Sequence, residues 1–170
     1  MIVVGIGSNL AAPSFATPLA TAAAAVARFP AIGLSVVRQS RWHLSAPVPP
    51  SDQPWYVNAV AIVETALPPE PLLDRLLALE ARFGRRRSAA NAARTLDLDL
   101  LDYDGRECAT EKLMLPHPRL HERRFVLMPL AEIAPEWRHS GSGRSATDLL
   151  QALPPGQPIR VMGDDAAPRG

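Results

Sequence analysis

The chain is expected to fold as an α+β sandwich, a mainly antiparallel sheet with helices on both faces. Three observations predict this. Apolar segments of strand length alternate with segments whose apolar residues recur at three- and four-residue spacing; their order is strand, helix, strand, strand, helix, strand; and two further helical segments follow. A chain of 170 residues suits one domain that buries a core without disulfides. Residues 1–155 are expected to form that domain and 156–170 a tail.

Residues 2–6 read as a short buried strand ending at the turn residues Gly7, Ser8 and Asn9. A helix follows, with Thr17 as N-cap, Pro18 at the first helical position, an apolar face of Leu19, Ala22, Ala23 and Val26, and a stop at Pro30. Loose alternation over 34–44 predicts a second strand, and the prolines of SAPVPPSDQP (45–54) confine that stretch to a loop. Residues 56–64 make a third strand. Pro68 and Pro69 open a helix on which Leu72, Leu76, Leu79 and Phe83 share a face, with Gly84 at its end. After the connector RRRSAANAA comes the strand RTLDLDLL (94–101), then a turn over 103–107, a rigid LPHPR turn, a helix over 125–133 stopped by Pro135, a short helix over 146–153 and a Pro/Gly-rich end. This order predicts a sheet of ferredoxin-like type.

Composition narrows the function. Hydrophobic residues make up 47%, charged residues 21%, and the net charge of +1 argues against a generic nucleic-acid or membrane-surface binder. Every basic residue but Lys112 is arginine, and Arg82, Arg85, Arg86, Arg87 and Arg94 crowd one segment, which points to local anion binding. A single cysteine, Cys108, forms no intrachain disulfide, no Cys/His spacing suggests zinc, and no segment reads as a signal or membrane span. A soluble, cytoplasmic monomer is expected.

The chemistry centres on RTLDLDLL. Side chains alternate along a strand, so Asp97 and Asp99 share one face and Leu96, Leu98 and Leu100 the other. Paired carboxylates repel, and a hard cation such as Mg²⁺, which takes one or two carboxylates plus phosphate oxygens, is the usual reason to tolerate them. A polar strand face turned to water is the plain alternative. Arg85, Arg87 and Arg94 stand close by with planar forks that suit phosphate, although surface salt bridges would use the same residues. His117 is braced between two prolines beside Arg119, Arg123 and Arg124. In DQPWYVNA, Tyr56 and Asn58 share a strand face, an aromatic ring beside a carboxamide that could stack on and read a flat heterocycle. In GIGSNL small residues let backbone approach a ligand.

Taken in order and with their gaps, GIGSNL, DQPWYVNAV, LEARFGRRR, RTLDLDLLDYDG and LPHPRLHERRFVLMPLAEIAPEW resemble the 6-hydroxymethyl-7,8-dihydropterin pyrophosphokinases of the folate pathway over roughly residues 2–153. The resemblance implies transfer of pyrophosphate from ATP to a reduced pterin with release of AMP, assisted by two Mg²⁺ ions. It implies Asp97 and Asp99 as metal ligands, Arg85 and Arg94 as catalytic phosphate clamps, and Glu80, Arg87, Lys112, His117 and Arg123 around the ATP. It also implies Tyr56 and Phe125 around the pterin ring, Asn58 on its amide edge, and Ser45 and Val48 lining the pocket. Two stretches depart from the family pattern: Ser45-Ala46-Pro47-Val48-Pro49 stands where Thr-Pro-Pro-Leu-Gly is usual, and Asn91-Ala92-Ala93 where Gly-Pro, often after an aromatic, precedes the arginine. These keep open a paralogue acting on another pterin. A non-catalytic RNA-binding sheet would need aromatic pairs and a basic face, against 5% aromatic content and two acids on the best-defined strand.

Overall fold

The computed structural model describes residues 1–85 and 92–163. In chain order the elements are β1 (Ile2–Ser8), α1 (Pro18–Val26), β2 (Ser35–Gln39), β3 (His43–Ser45), β4 (Tyr56–Glu64), α2 (Pro69–Arg82), β5 (Asp97–Tyr103), the two-residue strands β6 (Cys108–Ala109) and β7 (Met114–Leu115), α3 (Arg124–Ile133), α4 (Ala146–Ala152) and β8 (Ile159–Val161). One six-stranded sheet runs β5-β1-β4-β3-β8, with β2 also paired to β4, and every pairing in it is antiparallel.

Both faces of the sheet are covered. Leu72, Leu76 and Leu79 of α2 and Ala22 and Ala25 of α1 bury against Val4, Ile6, Leu98 and Leu100 on one face. Val126, Leu127 and Leu130 of α3 and Leu149 of α4 bury against Val3, Val60, Ile62 and Leu101 on the other. The middle strands β1 and β4 are apolar nearly throughout because neither of their faces meets water. The stacking platform an RNA-binding sheet requires is therefore covered.

Local chemistry accounts for the helix ends. Thr17 Oγ1 accepts the Ala20 N–H at 3.0 Å, with Pro18 at the first helical position. Gly84, just beyond α2, has φ of 77°, a conformation that glycine adopts without strain. Ser145 and Asp148 form a reciprocal capping box at α4.

Three features differ from the sequence expectation. The strand expected over 34–44 is broken at Ser40, whose N–H donates to the Val60 carbonyl at 2.9 Å while its hydroxyl accepts the Val60 N–H at 3.0 Å. The serine side chain replaces a ladder bond, so β2 and β3 separately pair with the two ends of β4. A small hairpin, β6–β7, occupies the stretch after the 103–107 turn. Within the segment read as a tail, Ile159–Val161 joins the sheet edge as β8; its three residues are too few to show a period beside prolines and a glycine.

A bulge shifts the β1–β5 register between Val3 and Val4. Beyond it Asp102 turns to the α3 side, where its carboxylate accepts the buried Trp137 indole N–H at 2.6 Å and the Gly105 N–H at 2.9 Å. Replacing Trp137 by Phe keeps the ring but leaves a buried carboxylate one donor short. Urea denaturation is expected to show a loss of about 1–3 kcal/mol, with the pairing at the other end of β5 intact.

Candidate active site

Strand pairing places two glycines beside two aspartates. In the β1–β5 register Gly5 lies opposite Asp99 and Gly7 opposite Asp97. A Cβ on Gly7 would come within 3.3 Å of Asn58 Oδ1, and one on Gly5 within 3.2 Å of Leu101 Cδ1. Hydrogen in place of Cβ thus opens the sheet face next to the carboxylates, which gives GIGSNL its physical content. Leu96, Leu98 and Leu100 are buried on the opposite face, as strand alternation requires.

Two clefts meet at this pair. The first, ≈ 230 Å³, is lined among others by Ser45, Val48, Tyr56, Asn58 and Phe125, with Arg94 and Arg123 beside the carboxylates. The second, ≈ 260 Å³, is lined by Glu80, Arg85, Lys112 and His117 and by the apolar side chains of Leu73, Leu77, Leu113 and Met114. Asp97 and Asp99 belong to both. Every described candidate residue of the sequence lines one cleft or the other. Arg87 lies outside the described residues, as does most of the 88–93 connector.

Arginines neutralise the acids. Arg85 Nη1 reaches Asp97 Oδ1 at 2.6 Å and also donates to Glu80 Oε1; Arg94 Nη1 reaches Asp97 Oδ2 at 3.0 Å; Arg123 Nη1 reaches Asp99 Oδ2 at 2.9 Å, and the Arg123 Cζ lies 5.6 Å from the centre of the Phe125 ring. Burial and the neighbouring Asp97 push the Asp99 carboxyl up, against the pull of His117 and Arg123. Burial likewise pushes Glu80 up to about 7, although the Leu98 N–H and Arg85 favour its ionised form. Burial holds His117 below its usual value, partly offset by Asp99.

Glu80, expected beside a nucleotide, does identifiable structural work. Its Oε1 accepts the Leu98 N–H at 2.6 Å and holds Arg85, tying α2 to the start of β5. His117 is fixed through its backbone, its N–H donating to the Leu101 carbonyl at 2.8 Å, and its Nδ1 accepts the Arg119 N–H at 3.2 Å. Lys112 stands at the rim, its Nζ 2.7 Å from the Asp74 carboxylate.

The sequence gives little warning of Asn9. Its Oδ1 accepts the Arg94 N–H at 2.8 Å, and its Nδ2 donates to Gln53 Oε1 and the Pro54 carbonyl, both at 3.2 Å. Ser8 Oγ donates to the Thr95 carbonyl at 2.7 Å. One buried carboxamide thereby clasps the segment bearing Arg94 to the segment leading into Tyr56. An asparagine after a strand reads locally as a turn residue, and only long-range pairing reveals the clasp.

Two outcomes test this electrostatic and loop architecture. Asn9→Ala is expected to lower the thermal midpoint and to weaken ligand binding at the Arg94–Tyr56 segment by roughly tenfold, the effect of about 1.4 kcal/mol, measured by titration calorimetry. Because Glu80 binds its proton more tightly folded than unfolded, ligand-free stability should fall as pH rises from its ordinary value of 4.5 through about 7. Glu80→Gln should flatten that slope in urea unfolding measured across the same window; an unchanged slope would remove Glu80 as its source.

Comparisons with known proteins fit this arrangement. The family model for 7,8-dihydro-6-hydroxymethylpterin-pyrophosphokinase (HPPK) matches residues 3–135. A Synechocystis protein named 2-amino-4-hydroxy-6-hydroxymethyldihydropteridine pyrophosphokinase is 39% identical over 152 residues, covering 89% of this chain and 75% of its own. A Pseudomonas aeruginosa protein of the same name is 40% identical over 153 residues, covering 90% and 91%. Among solved structures, a triple mutant of Plasmodium falciparum HPPK-DHPS superposes with a TM-score of 0.66 at 12% identity over 88% of this chain, which spans only 42% of that longer one and shares its fold there. With the family model covering most of the chain and relatives near 40% identity along nearly all of it, the chain belongs to the 7,8-dihydro-6-hydroxymethylpterin-pyrophosphokinase family.

Proposed function

We propose that the chain transfers pyrophosphate from ATP to the hydroxymethyl group of 6-hydroxymethyl-7,8-dihydropterin, releasing AMP, as a step of folate biosynthesis. The observation that carries this reading is the meeting of two differently lined clefts at one carboxylate pair. A reaction joining two substrates needs a compartment for each and a shared centre where charge is controlled.

The first cleft takes the pterin. Tyr56 and Phe125 offer ring faces, and Asn58, whose Nδ2 donates to Ser45 Oγ at 2.8 Å, keeps Oδ1 to accept from the pterin amide edge. Ser45 and Val48 complete this side. The second cleft takes ATP, with apolar leucines for the base, His117, Lys112 and Arg85 toward the phosphates, and Arg87 as a further phosphate contact. Arg123 serves the phosphates from the boundary. Glu80 acts there by holding Arg85.

Among the described residues no group of three or more His, Cys, Asp and Glu side chains could hold a metal ion. The two shared aspartates nevertheless fit a hard cation that completes its shell with phosphate oxygens and water. Asp97 and Asp99 would hold two Mg²⁺ ions, which when bound neutralise charge on the transferring phosphates.

Transfer requires the pterin hydroxyl oxygen in line with the β-phosphorus. A bond forms between them as the bond from that phosphorus to the α,β-bridging oxygen breaks; AMP leaves with the bridging oxygen and its electron pair, and the hydroxyl proton is released. Arg85 and Arg94, paired with Asp97 in the free protein, turn to the phosphates once the carboxylates are engaged elsewhere. They clamp the transferring group as charge shifts onto the leaving oxygen. No described helix is long and apolar enough to cross a membrane, and in this reading the enzyme works as a cytoplasmic monomer on its two small-molecule substrates, without nucleic acid.

AMP formation from ATP and Mg²⁺ should require the reduced pterin, and Asp97→Ala should lower the rate by roughly 100-fold or more. Nucleotide binding without AMP, in the presence of this pterin, would sink the acceptor assignment and favour a pterin of different structure.

A further inference from the structure

A C-terminal strap, residues 157–162, lies beyond the stretch matched by the family model and reaches the first cleft. β8 pairs with β3 residue for residue, Ile159 opposite Ser45, Arg160 opposite Leu44 and Val161 opposite His43. The ladder continues past the strand ends: the Ala46 N–H donates to the Pro158 carbonyl at 3.0 Å, and the Met162 N–H to the Trp42 carbonyl at 2.8 Å. The Arg160 guanidinium lies 5.9 Å from the centre of the Trp55 ring, one residue before Tyr56. Segment 45–46 is thus held by β4 on one side and by the strap on the other.

One strap side chain enters the cleft itself. Gln157 lines it together with Ser45, Ala46, Val48 and Asn58. Its Nε2 donates to the Ala46 carbonyl at 3.1 Å, and its Oε1 accepts from no group among the described residues. Asn58 has the same bias, since its Nδ2 donates to Ser45 Oγ and, at 3.4 Å, to the Tyr56 carbonyl. The Ser45 end of the cleft therefore presents two carboxamide oxygens, with both amide hydrogens of Asn58 and one of Gln157 engaged elsewhere. Such a wall accepts hydrogen bonds and selects a ligand edge rich in N–H donors.

We propose that Gln157 is a specificity-determining residue for the acceptor, supplied by the C-terminal strap: it fixes Ala46 through Nε2 and accepts, through Oε1, a hydrogen bond from the exocyclic amino group of the heterocycle. This rests on the pterin reading of the first cleft. It gives the departure at 45–49 a physical setting, because the strap contributes both the support and the polar group beside that loop.

The test uses the full-length protein with Gln157→Ala and Gln157→Glu, measuring KM for ATP, KM for 6-hydroxymethyl-7,8-dihydropterin, and competitive inhibition by two product-like pterins that differ only in carrying or lacking the 2-amino group. Gln157→Ala is expected to raise the pterin KM about three- to tenfold, the effect of one hydrogen bond, leaving the ATP KM unchanged. It should also weaken the amino-bearing inhibitor while leaving the deaminated one within twofold. Gln157→Glu gives up the bond to Ala46 but keeps an acceptor oxygen, and should retain the preference for the amino group. Equal loss for both inhibitors, or no change for either, would overturn the contact. Pterin-dependent AMP from the wild type in the same assay separates the two readings: without it the function assignment fails, and with it an unresponsive Gln157→Ala defeats this inference alone.

Discussion

Two carboxylates two residues apart on one strand set the terms for everything around them. Asp97 and Asp99 sit where two clefts join, and their repulsion is relieved in the free protein by Arg85, Arg94 and Arg123. Each arginine arrives from a different part of the chain, so the acid pair gathers the end of α2, the connector and the approach to α3 around β5. Burial works against the charged forms, and Asp99 and Glu80 both hold their protons more tightly than free carboxylates do. On the proposed reading, a polyphosphate with its cations would enter by exchanging partners, carboxylates passing from arginine to metal and arginines from carboxylate to phosphate. Little net charge would have to be created or buried in that exchange.

The sheet supplies rigidity for this exchange. Its β1–β5 pairing sets Gly5 and Gly7 against the aspartates, and its β1–β4 pairing sets Gly7 opposite Asn58, so the glycines of one strand floor the first cleft. Helices on both faces lock the register, because a one-residue slip would drive Leu98 and Leu100 into the cleft and Asp97 and Asp99 into the α2 core. The loops above are joined by a few specific bonds, chiefly those of Asn9 and of the C-terminal strap. Rigid floor and bonded loops together give the preorganisation that a positioning-dominated phosphoryl transfer requires.

Much of this was legible in the chain. Alternation over residues 96–100, the spacing of Leu72, Leu76 and Leu79, and the caps at Thr17 and Gly84 are local signals, and their elements form where those signals lie. The break at Ser40 was not legible because it depends on which strand faces the serine hydroxyl. Nor was β8, whose three residues acquire strand geometry only from the free edge of β3. The Asn9 clasp spans 85 residues to Arg94, and no local pattern encodes such a distance.

By itself the sequence determined the element types, the face on which the two carboxylates stand and the arginine-rich chemistry near them, since residue periodicity and charge act locally. Tertiary structure alone decided that the candidates divide between two clefts with the aspartates common to both, that Glu80 holds Arg85 and the Leu98 N–H, and that Gln157 reaches Ala46. Those facts come from strand order and register, which bring together residues that are distant in the chain.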